Sequence, residues 1–179
     1  PAPGPGVKGK VNIPPNQKNP KEYIFLTYWC PGDVNNITPE AGFCDTDQIL
    51  NTGINWLLFG FANIDWTKGS INFDSIKKGA CSKDLLSEEN FEDIVNNYLV
   101  PLHDKGICIS LSCGGEGGGD FPKTPPSNDV ISEMVSSFKT FRNKYSNVFD
   151  GIDLDFEHSS SIGCIDYINT IGKAFKDEG

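Results

Sequence analysis

Basic residues are scarce in this chain: 15 Lys and Arg stand against 24 Asp and Glu, giving a formal net charge of −9 and a pI near 4.6. A surface of that sign repels phosphate backbones, and no basic run interleaved with aromatics occurs, so nucleic acid is not expected as a partner. Long apolar runs are missing too. Stretches such as "YIFLTYW", Tyr23 to Trp29, fall far short of the roughly 20 residues of a membrane helix, so no membrane partner is expected either. Histidine occurs only twice, and none of the six cysteines forms a CxxC pair, which argues against a structural zinc site. The glycine-rich "GGEGGGD" lacks the GxGxxG spacing and is followed by no phosphate-loop lysine, so it reads as a flexible loop beside a groove. No metal or organic cofactor is implied.

The 179 residues, 37% of them apolar, suffice for one globular domain with a sizeable core. The first twenty, "PAPGPGVKGKVNIPPNQKNP", hold six of the twelve prolines and almost no large apolar side chain. Residues 1–20 therefore read as a linker or tail, with another module expected before it. The cysteines lie at 30, 44, 81, 108, 113 and 164. Cys30, Cys44 and Cys81 fall in predicted loops or element ends, as paired cysteines of secreted proteins often do, and Cys44–Cys81 is the pair expected to form a disulfide. Cys108 and Cys113 lie on or beside an apolar strand, where buried thiols are the other reading. A glycosylation sequon, Asn36 to Thr38, points to the same secreted, extracellular location.

Beyond the tail the hydrophobic pattern alternates. Strands are predicted at Tyr23 to Trp29, Asn55 to Ala62, Ile107 to Ser112 and Phe149 to Glu157. Between and after them helices are predicted over Phe43 to Asn51, Ser87 to Lys105, Asp129 to Tyr145 and Ile165 to Asp177. Ser87 reads as an N-cap, Gly106 as a stop and Pro101 as a kink. Four βα units imply an α/β fold with a parallel sheet, either doubly wound or closed into a barrel.

The last strand is unusual. In "FDGIDLDFE" the period-2 geometry puts Asp153, Asp155 and Glu157 on one face and Ile152, Leu154 and Phe156 on the other. Carboxyl groups spaced about 6.5 Å apart in a poorly hydrated site repel, so at least one is expected to keep a proton and serve as an acid. The alternatives are a solvated edge strand or a divalent-cation site.

Asp150-Gly151-Ile152-Asp153-Leu154-Asp155-Phe156-Glu157 resembles the DxxDxDxE signature of the family 18 glycoside hydrolases, the chitinase family, and Ser112-Cys113-Gly114-Gly115 resembles its SxGG motif. "SCGGEGGGD" followed by "DGIDLDFEH" is most similar to the hevamine-like class III chitinases. The resemblance covers roughly Tyr23 to the end, within a domain of residues 21–179. It implies a TIM (β/α)8 barrel of which this chain holds the first four βα units, the N-terminal half of a catalytic domain, with the isolated half weak or inactive. It also implies hydrolysis of β-1,4 bonds between N-acetylglucosamine units, retaining and assisted by the substrate's own acetamido group. On that resemblance Glu157 is the general acid, Asp155 orients the acetamido nitrogen and stabilises the oxazolinium ion, and Asp153 shares a proton with Asp155 and hydrogen-bonds Ser112. Asp150 and Gly151 support the strand, while Tyr28 and Phe61, with Gly115, match positions that bind sugar; core packing is the other reading of the two aromatics. Trp66 is a weaker candidate, and His158 receives no role. The expected partner is chitin or its oligosaccharides. Rival readings are a non-catalytic chitin-binding or inhibitor protein on the same scaffold, and an endo-β-N-acetylglucosaminidase.

Overall fold

In the computed structural model the described residues are 26–29, 46–51, 53–72, 88–115, 121–156 and 165–178. The predicted linker, the sequon, Ser87, Cys30, Cys44, Cys81, Cys164, His158 and Glu157 lie outside them. Among the described residues five strands are present: β1 (Leu26–Trp29), β2 (Trp56–Ile64), β3 (Ile71–Asn72), β4 (Cys108–Gly114) and β5 (Gly151–Asp155). The helices are α1 (Thr46–Asn51), α2 (Glu88–Ile94), α3 (Val100–Asp104), α4 (Asn128–Lys144) and α5 (Ile165–Asp177). The sheet runs β1-β2-β4-β5 with every neighbour parallel, as the βα alternation requires, and β3 pairs antiparallel with the end of β2.

The periodicity of α4 shows why it forms where it does. Ser127 caps it by accepting from the Val130 N–H at 3.3 Å, Asp129 occupies the first turn, and Arg142 and Lys144 the last, each sign suited to the helix dipole. Ile131, Met134, Val135, Phe138 and Phe141 form its buried stripe. Opposite that stripe and α2, the sheet presents Leu57, Phe59, Ala62, Ile109, Leu111 and Cys113, all buried, with Ile152 and Leu154 packed against them. Phe59 lies at the centre, its ring centroid 6.3 Å from Phe91 and 6.0 Å from Phe149. These residues make one core between sheet and helices.

Two departures from the predicted elements have local causes. The helix expected from Ser87 to Lys105 is interrupted by a π-helical turn, Val95–Leu99, where the Val100 N–H reaches back to the Val95 carbonyl. Pro101 has no N–H, and its ring collides with the carbonyl four residues earlier, so a widened turn just before it takes the place of a simple kink. The hairpin to β3 went unpredicted. Its turn is organised by Asp65, whose carboxylate accepts from the Thr67 N–H at 2.9 Å and the Thr67 hydroxyl at 2.6 Å, which holds the carboxyl below its usual range.

At the amino ends of the strands, Asp150 ties three elements together. Its Oδ2 accepts from the Ile109 N–H at 2.9 Å, its own N–H donates to the Ile109 carbonyl at 2.7 Å, and its Oδ1 lies 3.0 Å from His103 Nε2 at the end of α3. With only 8% of the residue exposed, removing the carboxylate leaves a buried N–H and an imidazole without this acceptor. Asp150→Ala is therefore expected to lower the unfolding free energy by about 2–3 kcal/mol, read as a lower urea midpoint at unchanged slope. An unchanged midpoint would remove Asp150 from the structural role.

Candidate active site

The face of the sheet turned away from the helices carries polar chemistry. Parallel register sets Ser110 beside Gly151, Ser112 beside Asp153, and Gly114 beside Asp155. The Ser112 hydroxyl donates to Asp153 Oδ2 at 2.7 Å, and the Tyr28 hydroxyl lies 3.5 Å from the same oxygen. Below them the Trp56 Nε1–H donates to the Ser110 hydroxyl at 2.9 Å. Ser110 and Ser112 are the buried hydroxyls of β4, and each is satisfied by these contacts.

Tyr28 and Asp153 sit on strands separated by β2 and β4. Three strand spacings are about 14 Å in a flat sheet, too far for the two side chains to bridge, so the sheet curls toward them. Phe61 joins this concave face because β2 bulges: Phe59 pairs with Leu111 and Ala62 with Cys113, so Gly60 and Phe61 together oppose the single Ser112. The Gly60–Phe61 peptide is cis. The Phe61 ring lies 5.6 Å from Tyr28 by centroid.

Gly114 and Gly115 explain the glycine pair. Their φ angles are 121° and 78°, values that L side chains rarely adopt. A Cβ on Gly114 would stand 2.3 Å from the Asp155 carbonyl oxygen, and one on Gly115 3.4 Å from the Phe61 ring. The Gly115 N–H donates to the Asp155 carbonyl at 3.2 Å. These contacts seat the end of β4 against the end of β5.

Of the expected residues, Tyr28, Phe61, Ser112, Gly115, Asp153 and Asp155 thus gather at the carboxyl ends of four parallel strands. Asp150 and Gly151 lie at the base of β5. β5 is the outer strand among the described residues, and its residues are half-buried. Tyr28 is 46% and Leu26 52% exposed, which keeps the concave face accessible. Among the described residues there is no disulfide: Cys108 and Cys113 are thiols. Burial pushes the Cys113 thiol far up, and the Asp153 charge adds to it, so it stays protonated and is no nucleophile. Among the described residues no three His, Cys, Asp or Glu side chains form a metal-ligand cluster, and no helix is long and apolar enough to cross a membrane. Sequence reasoning missed Trp56, Ser110, Phe121 and Tyr167. A Ser at every second position of "SLS" was the only available signal, and it marks a polar face on an otherwise apolar strand.

Parallel strands under a layer of helices, with polar groups at the carboxyl ends, define an α/β protein with its site where such folds bind ligands. No family model and no curated protein matches the sequence, whereas solved structures match the fold. A family GH18 chitinase from Chromobacterium violaceum aligns with a TM-score of 0.53 and 21% identity, over 87% of this chain and 37% of that one. Ostrinia furnacalis Group IV chitinase in complex with allosamidin gives 0.55 and 16%, over 88% and 40%. The chitinase domain of the spore coat protein CotE from Clostridium difficile gives 0.52 and 15%, over 96% and 42%. The chain therefore has the fold of part of these chitinases, and spans less than half the length of each.

Proposed function

We propose that the protein is a secreted chitinase whose described sheet is the first four βα units of a TIM barrel. The observation that carries this reading is the hydrogen bond from Ser112 to Asp153 on the concave face, with Asp155 next on the same face and Glu157 two residues further along the chain. The fold shared with GH18 chitinases supports it. The hevamine-like affiliation rests on the wording of residues 112–120 and 150–158 alone.

In the proposed reaction Glu157 protonates the glycosidic oxygen as the bond to the anomeric carbon breaks. The substrate's acetamido carbonyl oxygen attacks that carbon from the opposite face, giving a cyclic oxazolinium ion with retention after water enters. Asp155 stabilises the positive ring and orients its N–H. Asp153 shares a proton with Asp155 and is itself oriented by Ser112 and Tyr28, while Tyr28 and Phe61 offer ring faces to the sugar. Chitin or its oligosaccharides are the proposed substrate.

The test is release of fluorophore from a fluorogenic chitotrioside. The natural full-length protein is expected to release it, and residues 1–179 alone little or none. Binding of chitin without cleavage would move the protein to the lectins. Cleavage of N-glycan cores instead would make it an endo-β-N-acetylglucosaminidase, and full activity from a natural 19.6 kDa monomer would remove the half-barrel.

A further inference from the structure

Four aromatic rings from four separate segments meet at the end of β5. Trp66 comes from the turn after β2, Phe121 from the segment before α4, Phe156 follows Asp155 directly, and Tyr167 lies in α5. Ring centroids are 3.8 Å apart for Phe121 and Phe156, 5.0 Å for Trp66 and Phe121, and 6.2 Å for Trp66 and Tyr167. The Tyr167 hydroxyl donates to the Pro122 carbonyl at 2.6 Å, which pins the segment bearing Phe121. Phe121 also lies 3.3 Å from where a Cβ of Gly114 would be, so its ring fills the space that glycine leaves. Phe121 and Tyr167 are almost fully buried.

Phe156 is the covalent link between Asp155 and Glu157, and consecutive Cα atoms stand about 3.8 Å apart. Fixing its ring restricts the backbone at Asp155. Aromatic side chains suit this, since two torsions position a large rigid surface. We infer that Phe121, Trp66 and Tyr167 form a clamp on Phe156 that positions the end of β5, and with it Asp155. They are positioning residues that act through Phe156 and Gly114. The catalytic consequence of the clamp rests on the proposed hydrolase reading; the mechanical one does not.

Amide hydrogen exchange on the intact protein separates the two. The Gly115 N–H, bonded to the Asp155 carbonyl, reports the end of β5, and the Ile109 N–H, bonded to Asp150, reports its base. Phe121→Leu should accelerate Gly115 exchange at least 10-fold and leave Ile109 within 2-fold. Trp66→Leu, which removes the ring 5.0 Å from Phe121, should act in the same direction and serves if the first variant fails to fold. Equal acceleration at both amides, or none at either, would overturn the clamp and leave the rings as ordinary core. Where the parent hydrolyses chitotrioside, kcat should fall about 10-fold with KM within 2-fold. A parent without turnover removes the hydrolase reading and leaves the exchange result to decide the clamp.

Discussion

Glu157→Gln is expected to lower kcat on chitotrioside by about 10²- to 10⁴-fold, the range for losing a positioned general acid, with KM within a few-fold. That loss corresponds to about 3–5 kcal/mol of barrier. Glutamine matches the side chain in size and keeps hydrogen-bonding capacity, but its amide cannot deliver the proton that the proposed reaction requires. A drop in kcat without a matching rise in KM marks an interaction made in the transition state alone. The thermal midpoint should not move. Steady-state kinetics of parent and variant check this, and normal turnover in the variant would end the assignment of Glu157 as the acid and with it the proposed reaction.

Gly114→Ala should affect the fold more than any surface change. The new methyl would stand 2.3 Å from the Asp155 carbonyl oxygen and 3.3 Å from Phe121, so β4 and β5 must separate. Strain at a φ of 121° adds about 1–2 kcal/mol, the overlap about 1–3, and a weakened Gly115 bond to Asp155 about 1. The sum is about 3–6 kcal/mol, a large part of the stability of an ordinary domain. Thermal or urea unfolding is the measurement. A variant as stable as the parent would show that the strands' close approach is not required. Gly53, with nothing within 4 Å of its Cβ position, provides a control for the φ effect alone.

Much of the frame is legible in the chain. α4 declares itself by apolar spacing, a serine cap and an acidic first-turn residue, and α5 by apolar spacing, all local physics. The Ser112–Asp153 contact is implied by the resemblance of two motifs, with no derivation from the pattern alone. Other features depend on segments distant in sequence. Trp66 reads as a sugar-binding candidate, yet its ring packs on Phe121 and Tyr167, partners that no periodicity brings together. His103 looks like a helix-end residue until Asp150 arrives beside it. The π-turn before Pro101 follows from a ring clash whose relief has several geometries, and sequence does not choose among them.

The bulge in β2 decides which environment each later side chain meets. Before it, the odd-numbered Leu57 and Phe59 enter the core; after it, the even-numbered Ala62 and Ile64 do. Parity has been reset by one inserted residue. Hydrophobic character alone would send Phe61 to join Phe59 among the helices, and it is chain length that hands this ring to the open side instead. A one-residue change in strand length can therefore trade an aromatic between interior and groove while every amino-acid type stays the same, a route to altering ligand contacts that leaves composition untouched.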